Sequence, residues 1–133
     1  MHDALKVVYG AELVLTPASQ GGMEYARDLA EQMVALHGRF KYDLVVLVGD
    51  NLYGSERPQD FKIKFELPYK ALLDAGVKFY ASLGNHDARE QRFYKLFNMD
   101  GNLYYTFNPR PDVCFFMLET TYPTPEQFAW RPG

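Results

Sequence analysis

Leu44-Val45-Val46-Leu47-Val48-Gly49-Asp50-Asn51 is the stretch on which the reading of this chain turns. Its apolar run has no polar alternation, the pattern of a strand covered on both faces. It stops at Gly-Asp-Asn, where short polar side chains and a glycine favour a turn. A second stretch, Val77-Lys78-Phe79-Tyr80-Ala81-Ser82-Leu83, stops the same way at Gly84-Asn85-His86-Asp87. Between them lie a loop with Gly54, Ser55 and Pro58, a helical segment over Asp60–Glu66, an interruption at Pro68, and a second helical segment over Tyr69–Asp74 closed by Gly76. Strands alternating with helices predict a layered α/β arrangement with a largely parallel first portion.

Upstream, Ala26, Leu29, Ala30, Met33 and Val34 recur at helical spacing, so one face of a helix is apolar. Glu24, Arg27, Asp28, Glu31 and Gln32 take the wet side, and Gly38 fits the position just past the helix end. Leu5–Tyr9 and Leu13–Leu15 read as short strands before the loop Thr16–Gly22. Downstream, Arg89–Phe97 reads as helix and Leu103–Phe107 as a strand. A turn over Asn108–Pro111 leads into Val113–Leu118 as its hairpin partner, and Pro125–Trp130 begins a helix. The chain is expected to be a single, incomplete domain over residues 1–133.

The 133 residues are 47% hydrophobic and 23% charged, which excludes a disordered or acidic-tail protein. A net charge of −3 advertises no nucleic-acid partner. The longest apolar run is well short of the ~18 residues a membrane span needs, and Met1–Lys6 lacks the basic and apolar regions of a signal peptide. The expectation is a soluble chain of unassigned compartment with no membrane partner. A single cysteine, Cys114, excludes an intrachain disulfide and a CxxC zinc site; its apolar surroundings read as a buried, inert thiol. Neither GxGxxG nor a Walker-type loop occurs.

Ligands in open α/β sheets bind outside the carboxyl ends of the strands. If the two strands are neighbours, Asp50, Asn85, His86 and Asp87 converge there. Each cluster alone reads as a turn. Two glycine-led clusters at equivalent strand ends point to a site, and such oxygen and imidazole donors suit Zn, Fe or Mn.

Gly49-Asp50-Asn51-Leu52-Tyr53 and Gly84-Asn85-His86-Asp87 resemble the second and third signature blocks of the calcineurin-like metallophosphoesterases. Gly-Asp-x-x-Tyr resembles the purple (tartrate-resistant) acid phosphatase branch, as do Asp60-Phe61, Lys64-Phe65-Glu66, Gly76–Tyr80 and Tyr104–Phe107. The resemblance implies the N-terminal portion of an αββα sandwich and a metal-dependent phosphoesterase of the acid phosphatase type. It implies two metal ions, Fe with Zn, Mn or Fe: Asp50 would bridge them, Tyr53 would bind the first and Asn85 the second. Two such ions clamp a phosphoester and supply a hydroxide nucleophile. His86 would protonate the leaving alkoxide and Asp87 would orient it, help worth about 10²–10⁴-fold. Substrates would be small phosphoesters or phosphoproteins, and members of the branch are often secreted or periplasmic.

The first block departs from the family's pattern. After Lys6–Tyr9, Gly10 fits, but Ala11 stands where a metal-binding aspartate belongs; the adjacent Glu12 reads as a surface carboxylate rather than its substitute. His2 and His37 match no block, and a later lone histidine and Gly-His-x-His do not occur. Two protein ligands per ion falls short of the three or four of stable catalytic sites, so weak metal binding and poor turnover are expected. The alternative is a non-catalytic binding or assembly module on the same scaffold. Arg89 and Arg92 read as an exposed helix face rather than phosphate contacts. Strand faces left uncovered, at Val45, Val46, Val48 or Val113–Leu118, favour a homo-oligomer through the exposed sheet.

Overall fold

The computed structural model describes residues 23–52 and 56–132, with only the backbone of residues 23–26. The strands expected at Leu5–Tyr9 and Leu13–Leu15, the Gly10-Ala11-Glu12 block, His2 and Tyr53 lie outside the described residues.

Helix α1 (Met23–Phe40) buries Ala30 and Met33 and half-buries Leu29 and Val34, so the apolar stripe faces the core as its spacing predicts. It runs through Gly38 instead of ending there. The left-handed cap falls on Lys41, with φ of 49°, and the Lys41 N–H donates to His37 O at 2.9 Å. The Tyr42 hydroxyl then ties the exit to the helix by donating to Met33 O at 2.6 Å.

Strand β1 (Leu44–Val48) buries its first four residues and pairs in parallel with β2 (Lys78–Ser82), register Leu44↔Lys78 to Val48↔Ser82. The connection is helical in two segments around Pro68, as expected, though the first is not α-helical throughout. A short α2 (Pro58–Phe61) starts with proline, whose missing N–H is harmless in a first turn. It passes into a π-helical turn, Lys62–Glu66, closed by Leu67 N–H to Lys62 O at 2.9 Å. Helix α3 (Lys70–Asp74) follows after Pro68. The wide turn delivers Phe65 to the centre of an aromatic cluster: ring centroids lie 4.9 Å from Phe79, 5.1 Å from Phe97 and 5.4 Å from Tyr69.

The helix expected over Arg89–Phe97 is instead two 3₁₀ turns, Arg89–Phe93 and Lys95–Phe97, broken at an extended Tyr94. Tyr94 packs 4.2 Å from the Phe61 ring and donates its hydroxyl to Glu66 at 2.7 Å. Tertiary contacts override helix propensity here.

Strands β3 (Tyr105–Arg110) and β4 (Val113–Met117) form the expected antiparallel hairpin, with the turn at Pro111-Asp112 rather than at Asn108. Pro109 is accommodated where the register breaks between Phe107 and Arg110. The hairpin lies against β2: Tyr80 and Phe107 stack at 3.7 Å, and Phe107 stacks on Phe115 at 5.0 Å. The outward carbonyls of β2 are taken by side chains, Phe79 O by Asn98 Nδ2 and Ala81 O by the Tyr105 hydroxyl, both at 2.8 Å. Helix α4 (Pro125–Ala129) has Thr124 as its N-cap.

The result is a mixed α/β architecture with a parallel pair and a hairpin, as the alternating elements predict. Cys114 corrects one expectation: it is exposed, because in this hairpin Phe115 and Met117 turn inward while Cys114 and Phe116 take the outer face. Val45 and Val46 are buried, whereas Val48, Phe116 and Leu118 are exposed. No helix among the described residues is long and apolar enough to cross a membrane.

Burial pushes the Tyr42 phenol up to about 12 from the usual 10.0, and raises Tyr69, Tyr94 and Tyr105 as well. The folded state therefore keeps protons that the unfolded chain releases. This stabilisation is complete below pH 10, and the Tyr42 share of it is lost as pH rises through about 12. In an absorbance titration of the 10 tyrosines, these four are expected to ionise only as the protein unfolds. A smooth titration of all ten near pH 10 with the fold intact would contradict it.

Candidate metal centre

The in-register parallel pair brings the turn after β1 and the turn after β2 side by side. The approach is too close for ordinary side chains. Gly49 has a φ of 111°, and a Cβ there would lie 3.0 Å from Gly84 Cα. A Cβ on Gly84 would lie 2.2 Å from Asp50 Oδ1 and 2.5 Å from Asp50 N. Asp50 itself has a φ of 52°, a left-handed conformation rare outside glycine, asparagine and aspartate. Such local strain persists where surrounding contacts enforce it.

Those contacts are hydrogen bonds between the two turns. The His86 N–H donates to Asp50 Oδ1 at 3.0 Å. Asn51 Nδ2 donates to Ser82 O at 2.8 Å. Asp87, 5% exposed, collects the rest. Its Oδ1 accepts Asn51 N–H at 2.8 Å, Leu52 N–H at 3.2 Å and Gln91 Nε2 at 2.8 Å. Its Oδ2 accepts Gly84 N–H at 2.8 Å. Burial pushes the Asp87 carboxyl above the usual carboxylate range, and these donors pull the other way. The carboxylate that the resemblance casts as an orienter of His86 thus clamps one turn to the other through the Asn51 and Leu52 N–H groups, and braces its own turn through Gly84 N–H and Gln91 Nε2.

Asp50, Asn85, His86 and Asp87 belong to one lip, as the strand-end argument anticipates: Asp50 is half-buried, and Asn85 and His86 are exposed beside it. Arg89 is not on an exposed helix face. It is partly buried and pairs with the buried Glu119, and its Nη2 donates to Gly84 O at 2.6 Å and Asp87 O at 3.2 Å. Arg92 donates to Arg89 O at 2.8 Å and lies over the Phe93 ring at 4.4 Å, so its described contacts are within the protein too. Sequence reasoning missed Glu119, although the signal was available: Glu119 follows an apolar strand as Asp50 and Asn85 do.

The chain matches the sequence profile of the calcineurin-like phosphoesterases over residues 2–125. It belongs to that family. No curated protein and no solved structure matches it. At the family level this calcineurin-like phosphoesterase has the fold of a phosphoesterase-type hydrolase, and the family typically carries a dinuclear metal centre.

The lip fits such a centre in kind and in place. It offers carboxylate, amide and imidazole donors within one pair of turns, and the bare Gly84 leaves room for the Asp50 carboxylate. Asn51 Oδ1 adds a buried acceptor with no protein partner. In number the fit is incomplete: among the described residues no three His, Cys, Asp or Glu side chains gather as a ligand group.

Proposed function

We propose that this calcineurin-like phosphoesterase is a metal-dependent phosphomonoesterase of the purple acid phosphatase type, working on small phosphoesters or phosphoproteins. The observation that carries the reading is the hydrogen bond from His86 N–H to Asp50 Oδ1, which joins the two signature blocks at one lip. Asp50 would hold both ions, Asn85 the second, and Tyr53 the first, an iron, with Zn, Mn or Fe beside it. When bound, the ions supply charge neutralisation for the phosphoester and an activated water. The His86 imidazole, exposed at the rim, can hand a proton to a leaving alkoxide. Asp87 keeps the His86 backbone in place by clamping the turn. The whole chain would act as one domain.

Within these 133 residues the ligands number two per ion, so weak binding is expected. In nitrophenyl phosphate assays with Mn²⁺, Zn²⁺ or Fe³⁺, slow hydrolysis is expected that a chelator abolishes and Asp50→Asn removes. Turnover that survives the chelator would overturn the metal-dependent reading. Calorimetric titration checks the ligand count: two tight equivalents per chain would refute it.

A second reading is favoured by Ala11 in the position of a metal-binding aspartate. On it, the chain is a non-catalytic binding or assembly module. Exposed Phe116 and Leu118 at the hairpin support a homo-oligomer in either case. Absence of turnover with every metal, together with self-association in sedimentation, would favour this second reading.

A further inference from the structure

The proposed chemistry leaves the partly buried Arg89–Glu119 ion pair without a task. Glu119, directly after β4, is 2% exposed. A carboxylate so buried stays charged only when its oxygens find partners. One oxygen pairs with Arg89 Nη1. The other accepts Thr121 N–H at 2.7 Å and Tyr122 N–H at 3.1 Å. The Gln127 side chain grips the main chain of the same residue. Glu119 N–H donates to Gln127 Oε1 at 2.8 Å, and Gln127 Nε2 donates to Glu119 O at 2.9 Å. Glu119 is therefore a fixed point.

From that point Arg89 reaches the carbonyls of Gly84 and Asp87, which bracket Asn85 and His86. The Tyr122 ring lies 5.3 Å from the guanidinium carbon. A planar guanidinium presents its N–H groups in a fixed fork, so one side chain can hold a carboxylate and two carbonyls at once. An ammonium group on a flexible stem cannot reproduce that geometry.

We infer that Arg89, anchored on Glu119, is a positioning residue: it fixes both ends of the Gly84–Asp87 turn and so sets where Asn85 and His86 stand relative to Asp50. The Asp87 carboxylate holds this turn through the Gly84 N–H and ties it to Asn51 and Leu52, while Arg89 holds it through the carbonyls of Gly84 and Asp87. The functional half of this inference rests on the metal-centre reading; the structural half does not.

Arg89→Lys and Glu119→Gln test it by two readouts. The first is amide hydrogen exchange at Gly84, His86, Asp87 and Ala88, whose N–H groups are all hydrogen-bonded. Both variants are expected to keep the exchange of β1 and β2 near that of the unaltered protein. At the four turn amides, exchange should rise about ten-fold or more, as for a local opening. The second readout is Mn²⁺ affinity by calorimetry, expected to fall about 10–100-fold, as when a partner of a ligand-bearing group is removed. Exchange that is unchanged at the turn, or that rises uniformly across the chain, overturns the inference. If the unaltered protein binds no Mn²⁺, the metal-centre reading fails and turn exchange alone decides the positioning role.

Discussion

Asp87→Ala is expected to destabilise the protein by about 3–5 kcal/mol. The change removes the common acceptor of Asn51 N–H, Leu52 N–H, Gly84 N–H and Gln91 Nε2. A buried donor left without a partner costs about 1–3 kcal/mol, and water entering the vacated space offsets part of the total. Asp87→Asn is the sharper variant. An amide keeps one acceptor oxygen and turns the other position into a donor, so it opposes either the Gly84 N–H or the N–H groups of Asn51 and Leu52. Urea denaturation measures both changes. A loss under about 1 kcal/mol for the alanine variant would mean that solvent replaces the carboxylate and that the two turns are held by other means.

Gly84→Ala is expected to lower stability by about 2 kcal/mol or more, in the range of overpacked sites, and to displace Asp50. The added Cβ would meet both the carboxylate of Asp50 at 2.2 Å and its backbone nitrogen at 2.5 Å. A flexible side chain could move aside, but the backbone nitrogen belongs to a residue already confined at a φ of 52° and tied to the β1–β2 pair. Gly38→Ala is the control, because a Cβ there meets nothing within 4 Å. That control should leave stability unchanged or slightly raised, since alanine favours helix over glycine. Equal denaturation midpoints for Gly84→Ala and the unaltered protein would show that the turns separate freely.

The parallel pair and its lip were legible because burial and turn chemistry both write themselves into local sequence. Leu44–Val48 has no polar alternation, and glycine-led polar clusters follow it and its partner. The hairpin was legible from two apolar runs around a proline-containing turn. What escaped was set by contacts between distant residues. Nothing local to Arg89 announces Glu119, thirty positions on. The extended backbone of Tyr94 answers to Phe61 and Glu66, not to its neighbours. The outward direction of Cys114 depends on which face of β4 meets β3 and the core, a choice that an unbroken apolar run leaves open. The cap sits at Lys41 in place of Gly38, beside a Tyr42 whose hydroxyl bonds back to Met33 O, a contact that local sequence does not announce.

Side-chain caps on Phe79 O and Ala81 O make strand recruitment directional. A foreign β-segment approaching β2 finds two outward acceptors already taken by an amide and a phenol, so templated pairing on that flank forfeits those two bonds.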